Sequence, residues 1–103
     1  MKVQIVHCNR FKGKQEYVGR PSVLGNPYTV KAFGRGNAVK MYEDWLRRQY
    51  KNNNKPVIDE LKRLATQLKK ENYIVLSCWC APNPCHGEII GKALVAMINK
   101  GIV

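Results

Sequence analysis

The chain has 103 residues, of which 45% are apolar and 24% are charged. This composition is typical of one globular domain and excludes a disordered chain, and no apolar run approaches the ~18 residues of a membrane span. The formal net charge of +11 exceeds the magnitude of about 2–8 that solubility requires, and the excess favours an anionic partner.

The first half of the chain predicts a strand, a long loop and a helix. Apolar residues alternate with polar ones over 2–8, which indicates a strand, and this polar start does not resemble a secretion signal. Residues 15–18 predict a short second strand. Residues 19–36 form a loop rich in glycine and proline, of the kind that often carries function. Asn37 is a favoured helix cap and apolar residues at helical spacing follow it, so we predict a helix over 37–51.

The second half predicts two further helices around a buried strand. Proline suits the first turn of a helix that begins near Asn54 and ends near Lys70. Residues 73–77 are an unbroken apolar run, typical of a strand covered on both faces. A last helix is predicted from Cys85 to about Asn99. The order predicts one small single-domain α/β fold over 1–103, with a mostly parallel sheet, about three helices and a Rossmann-like style.

The two longer strands would place chemically active residues together if they were parallel neighbours. His7 and Cys8 would then lie beside Cys78, Trp79 and Cys80, at the carboxyl edge of the sheet. Ligands bind at that edge in open α/β sheets.

Three of the four cysteines lie between residues 78 and 85, and three chemistries remain open there. Zinc is one, with Cys78, Cys80, Cys85 and His86 as ligands, although their spacing departs from common structural sites. A reactive thiol is another, with Cys85 as nucleophile and His86 as acid or base, because a helix N-terminus and a histidine both lower a thiol pKa. The third is an anion held at the helix N-terminus near His86 and Gly87. Packing of the cysteines as small apolar side chains is the alternative to all three.

The loop over 19–28 supplies a second set of candidate ligand residues. Arg20 is a forked cation suited to phosphate or carboxylate, and Ser22 and Asn26 can add hydrogen bonds. Tyr28 can stack on a base, as can Trp79. Arg35 is a second candidate anion ligand. A stiff turn that carries a surface arginine is the structural alternative.

Together these segments resemble a family of small proteins from bacteriophages and bacteria that is known as a domain of unknown function. The resemblance rests on Gly-Arg-Pro-Ser-x-Leu-Gly-Asn-Pro, on Ala-x-x-x-Tyr-x-x-Trp-Leu and on Cys-Trp-Cys-Ala-Pro-x-Pro-Cys-His-Gly, and it spans about residues 17–95. It implies a compact α/β domain and a phage or prophage source, and it implies no assigned reaction. Within it the functional positions would be Arg20, Asn26, Arg35, Cys78, Cys80, Cys85 and His86.

We therefore expect binding of an anionic nucleotide-like ligand at the carboxyl edge of the sheet, with or without catalysis. The expected location is the cytoplasm (that of the host cell, if a phage encodes the protein), without a membrane partner. The alternative is a basic protein that binds nucleic acid or a host protein and has no catalytic activity. Basic residues around one pocket would favour the small ligand, and basic residues over a broad face would favour a polymer.

Overall fold

The fold is built on a three-stranded parallel sheet with the strand order β1-β3-β2. The structure is a computed structural model that describes residues 1–79 and 85–103. Its elements in chain order are β1 (Lys2–His7), β2 (Glu16–Tyr17), α1 (Val30–Phe33), α2 (Arg35–Lys51), α3 (Lys55–Glu71), β3 (Tyr73–Cys78) and α4 (His86–Asn99). The predicted α/β class and the parallel sheet are confirmed.

Strands β1 and β3 are direct parallel neighbours over their whole length. The register runs from Lys2 opposite Tyr73 to His7 opposite Cys78, and β2 pairs with the other side of β3. Residues 74–78 of β3 are all buried, as expected for a central strand. The carboxyl ends of β1 and β3 therefore lie together, which was the condition for a site at this edge.

The helices bury apolar stripes against one another and against the sheet. Helix α3 buries Leu61, Leu64 and Leu68 in the main core. Helix α4 lies close to β1, because a Cβ atom at Gly91 would stand 3.1 Å from Cγ1 of Val3. Glycine at this position therefore lets the helix approach the strand closely.

Helix α2 begins at Arg35, so the predicted cap at Asn37 is wrong. Gly34 has φ +80° and is both the C-cap of α1 and the N-cap of α2. Its N–H donates to Val30 O at 2.7 Å and ends α1, while its carbonyl accepts from Ala38 N at 2.9 Å and begins α2. The long loop predicted over 19–36 consequently contains a short helix. Four helices, rather than about three, lie within the residues that the structure describes.

Helix α2 faces the core with Ala38, Tyr42 and Leu46. Trp45 is half-buried and stacks on Tyr42 with 5.4 Å between ring centroids. No helix in residues 1–79 or 85–103 is both long enough and apolar enough to cross a membrane.

Candidate functional site

A cavity of about 320 Å³ opens at the carboxyl edge of the sheet. Its walls come from the end of β2 and the following loop, from helix α2, from the end of β3 and from the start of α4. The described residues that line it are Tyr17, Gly19, Arg20, Asn26, Tyr28, Val39, Cys78, Trp79, Cys85 and His86. Most of the residues proposed from the sequence therefore meet in one place.

Arg20 is positioned at this cavity by a hydrogen bond and by close packing within its loop. Tyr17 Oη donates to the carbonyl of Arg20 at 2.6 Å. Gly25 packs against the same backbone, where an added Cβ would lie 2.9 Å from N and Cα of Arg20. The side chain of Arg20 is exposed and makes no ion pair within residues 1–79 and 85–103. A fixed backbone therefore presents an available guanidinium.

The polar side chains of Ser22 and Asn26 form hydrogen bonds to the protein backbone. Ser22 Oγ accepts from Leu24 N at 3.1 Å, and Ser22 is not among the lining residues. Asn26 lines the cavity, but its Oδ1 accepts from Tyr28 N at 2.9 Å and its Nδ2 donates to Ala38 O at 3.1 Å. Asn26 thus joins the loop to helix α2.

Tyr42 is the second anchor between this loop and helix α2. Its buried hydroxyl donates to the carbonyl of Leu24 at 2.7 Å. Burial raises the pKa of Tyr42 far above its ordinary value, and Cys85 in its thiolate form would add to this increase by repulsion. The hydroxyl therefore remains a donor in the folded protein.

His86 is buried at the base of the cavity as a neutral ring. Its Nε2 lies 2.7 Å from the carbonyl of Val18, and because a carbonyl only accepts, Nε2 carries the hydrogen. Burial lowers the pKa of His86; the hydrogen bond to Val18 opposes that effect and the positive charge of Arg20 reinforces it. Nδ1 then carries the lone pair, and it lies 3.8 Å from Cys85 Sγ.

Cys85 occupies the N-cap position of helix α4. Its Sγ accepts from Gly87 N at 3.3 Å. The residue is 1% exposed and packs with Cys78 against Ile5. The N–H of Gly87 is therefore directed at sulfur, and a Cβ at Gly87 would lie 3.3 Å from Ile5. Gly87 thus has a packing role that the sequence interpretation did not include.

Two aromatic side chains form the remaining walls. Trp79 is 59% exposed and meets His7 edge to face at 5.5 Å. Tyr28 is half-buried, and its hydroxyl accepts from Arg48 Nη2 at 3.3 Å. Both rings have apolar surface available to a planar ligand.

The other predicted residues lie outside this arrangement. Arg35 is the first residue of α2 and does not line the cavity; its Nη1 is buried without a hydrogen-bond partner in the described part of the chain. Cys80 falls in 80–84, outside the described residues. Within the described ranges, no group of three or more His, Cys, Asp or Glu is placed to hold a metal ion. The zinc hypothesis thus depends on a residue that the structure does not describe.

Tyr17, Gly19 and Val39 line the cavity but were not among the residues proposed from the sequence. A Cβ at Gly19 would stand 2.5 Å from Tyr17 Oη, so glycine lets this ring lie flat over the loop. Position could have indicated two of them, because Tyr17 lies in the predicted strand over 15–18 and Gly19 directly follows it, at a ligand-binding edge. Val39 carries no such signal.

The fold and the cavity define a small α/β protein with a cleft of ligand size at the carboxyl edge of a parallel sheet. Residues 3–96 match the model of a family described as Domain of unknown function (DUF4326), and the chain belongs to this family. Comparison with curated proteins gave no match, and neither did comparison with solved structures. The phage or prophage origin that the motifs implied stays a prediction.

Proposed function

We propose that the cavity at the carboxyl edge binds an anionic, nucleotide-like ligand. The observation that carries the proposal is the combination, in one cavity, of an arginine that has no ion pair in residues 1–79 and 85–103 and two accessible aromatic rings, Trp79 and Tyr28. The volume of about 320 Å³ lies at the lower end of the ~300–1,000 Å³ that is common for small-molecule sites. That size suits a mononucleotide better than a dinucleotide.

Arg20 supports an anionic group at one end of such a ligand. A guanidinium donates two parallel hydrogen bonds to a phosphate or carboxylate, and these charge-assisted bonds are stronger than neutral ones. The net charge of +11 also raises the local concentration of anions near the protein.

Trp79 and Tyr28 support a planar group at the other end. Stacking of a base on an aromatic side chain contributes roughly 1–3 kcal/mol. Trp79 is 59% exposed in the ligand-free chain, so a bound base would cover apolar surface that water now contacts. Tyr28 is held in place by Arg48, which reduces the conformational entropy lost on binding.

Fluorescence titration tests this proposal directly. In a Trp45→Phe variant Trp79 is the single tryptophan, so its fluorescence reports binding at the cavity. We expect nucleoside monophosphates to quench this fluorescence and to bind more tightly than inorganic phosphate or a nucleoside. Arg20→Ala and Arg20→Lys should both weaken binding about 10–100-fold, because lysine keeps the charge and loses the fork. Lys40→Ala, an exposed change outside the cavity, is the control. Wild-type affinity in Arg20→Lys would refute the forked contact, and absence of binding by every probe would refute the proposal.

A catalytic form of this function is favoured by one observation, the approach of His86 Nδ1 to Cys85 Sγ. A neutral His86 can take the thiol proton and leave a thiolate, which is the nucleophilic form. Cys85 is 1% exposed, so we expect slow labelling by iodoacetamide, slower than that of half-buried Cys8. Rapid labelling of Cys85 that nucleotide prevents would instead favour an enzyme with Cys85 as the nucleophile. Protection of several thiols that a chelator abolishes would instead establish zinc.

Binding of nucleic acid without catalysis is the second candidate function. Arg20 is the one basic residue among the described lining of the cavity, so most of the positive charge lies elsewhere. The positive charge outside the cavity is therefore available to contact a polyanion such as nucleic acid. Titration of an oligonucleotide at several salt concentrations separates the two functions. A polymer held by charge alone would keep its affinity in Arg20→Lys, whereas a mononucleotide in the cavity would lose it.

A further inference from the structure

A second cavity, on the helical side of the fold, has a different character. It measures about 530 Å³ and lies between α2 and α4, with Leu61 of α3 below it. Its apolar floor includes Leu46, Ala93 and Met97. We refer to this cavity as the α2–α4 groove.

Two helix faces, one on α2 and one on α4, form the walls of the groove. Helix α2 contributes residues 43, 46, 47, 50 and 51; helix α4 contributes residues 89, 92, 93, 96 and 97, and its C-cap Lys100 follows. Both sets follow the pattern i, i+3, i+4, i+7, i+8, so each wall is one continuous helical stripe. From Ile89 to the C-cap residue Lys100 this wall is about 16 Å long at ~1.5 Å per residue. This length matches three turns of a third helix.

The rim of the groove is strongly basic. Arg47 and Lys51 stand on the α2 side, and Lys92 and Lys100 stand on the α4 side. Glu43 is the one acidic residue among the described lining, and it already pairs with Arg47 at 3.7 Å. A carboxylate-bearing partner would therefore meet four cations, one of them already paired with Glu43, around an apolar centre.

The depth of the apolar floor selects among possible anionic partners. Leu46 and Met97 are 5% and 4% exposed, so they lie below the basic rim. A flat lipid surface or a phosphate backbone would contact the rim and leave this floor uncovered. An amphipathic helix, by contrast, inserts apolar side chains at i, i+3 and i+4 while its acidic residues meet the rim. We propose that the α2–α4 groove binds an acidic amphipathic helix of a partner protein.

The test uses synthetic peptides of about 18 residues, long enough for the groove at ~1.5 Å per residue. Leu, Ile, Phe or Met occupies positions i, i+3, i+4 and i+7 in one set, and Glu fills the other face. The comparison sets replace Glu by Lys or scramble the apolar spacing. We expect the acidic helical set to bind, measured by anisotropy of labelled peptides, with amide shifts confined to α2 and α4. The Lys set and the scrambled set should bind at least about tenfold more weakly.

Variants separate docking in the groove from general attraction by charge. Lys92→Glu with Lys100→Glu should weaken peptide binding about tenfold, whereas Lys40→Glu with Lys62→Glu makes the same charge change outside the groove and should not. Ala96→Trp fills the groove from an exposed helical position without changing charge, and it should also abolish binding. Thermal unfolding confirms that each variant folds.

Any one of four results would overturn the proposal. Equal losses in the two charge pairs would show that only net charge matters. Shifts that map to another face, or absence of binding by every acidic helix, would show that the groove is not the site. Tight binding to anionic vesicles that depends on Lys92 and Lys100 but not on Ala96 would make a lipid surface the partner. Nucleotide binding by Arg20 is independent of all of these outcomes.

Discussion

Replacing Tyr42 with Phe removes one hydroxyl from the contact between helix α2 and the loop that carries Arg20. Tyr42 and Leu24 are both fully buried, and the hydroxyl donates to the Leu24 carbonyl at 2.7 Å. Phe keeps the ring that stacks on Trp45 and that meets His86 edge to face at 4.9 Å. The substitution therefore changes the hydrogen bond and leaves the apolar packing in place.

The expected loss of stability depends on the Leu24 carbonyl, which remains buried without the hydroxyl donor. A typical internal hydrogen bond contributes about 0.5–1.5 kcal/mol, but a buried carbonyl left without a donor costs about 1–3 kcal/mol. We expect Tyr42→Phe to lower the free energy of unfolding by about 1–3 kcal/mol. In a domain of about 100 residues each kcal/mol corresponds to roughly 4–8 °C in Tm. The pKa of Tyr42 is raised by burial, so the donor is present at all pH values used for such assays.

Urea unfolding at equilibrium measures this cost. The midpoint should fall and the slope m should not change, because the surface exposed on unfolding is nearly the same. Tyr50→Phe is the control, since Tyr50 is 39% exposed and surface changes usually stay within about 0.5 kcal/mol. Nucleotide affinity should also fall in Tyr42→Phe, because the loop loses an anchor. Stability of Tyr42→Phe within about 0.5 kcal/mol of wild type would refute this account of the buried hydroxyl.

The remaining predictions concern glycine, tryptophan and histidine. Gly25→Ala should destabilise the fold, since the new Cβ would meet loop backbone at 2.9 Å, whereas Gly36→Ala meets nothing within 4 Å and should stabilise helix α2 by up to about 1 kcal/mol; urea unfolding would show opposite signs, and the same sign in both would contradict the geometry. Trp45→Ala should cost about 2 kcal/mol, less than the ~3–5 kcal/mol of a fully buried ring, and Trp79→Ala should cost far less stability but weaken nucleotide binding; equal losses of stability would place Trp79 in the core. Because burial lowers the pKa of His86 in the folded state, the unfolded chain takes up a proton first near pH ~6.5. The contribution of neutral His86 to the free energy of unfolding should therefore be fully present above that pH and should decrease as the pH falls from about 7 to 5. His86→Gln should flatten this pH dependence, and a wild-type stability that does not change with pH in this range would contradict a buried neutral ring.

Several elements of the fold were predictable from the sequence alone. Helix α3, helix α4 and strand β3 were predicted within about two residues of their observed bounds, because each has a long periodic or continuous apolar pattern. Pro56 near the start of α3 and Cys85 before α4 marked the helix starts correctly. The start of α2 was not predictable in this way, because its N-cap Gly34 has a positive φ and no side chain that would mark a helix start.

The candidate residues of the site were also predictable, but only by their chemistry. Arg20, Asn26, Tyr28, Trp79 and the Cys85–His86 pair were singled out because charge, aromatic rings and thiols are the groups that bind ligands. The sequence did not show that Ser22 and Asn26 form hydrogen bonds within the loop. Nor did it show that the sulfur of Cys85 caps a helix. Such roles depend on partners that only the folded chain supplies.

The tertiary structure alone decided that these residues share one cavity. The hydrogen bond from Tyr42 to Leu24 spans 18 residues of sequence, and that from His86 to Val18 spans 68. The parallel pairing of β1 with β3 joins residues 2–7 to residues 73–78. The α2–α4 groove likewise exists only where two distant helices pack side by side. Local sequence determines which groups are present and which elements form, whereas contacts at long sequence separation form only when the whole core offsets the entropy of closing the intervening loops.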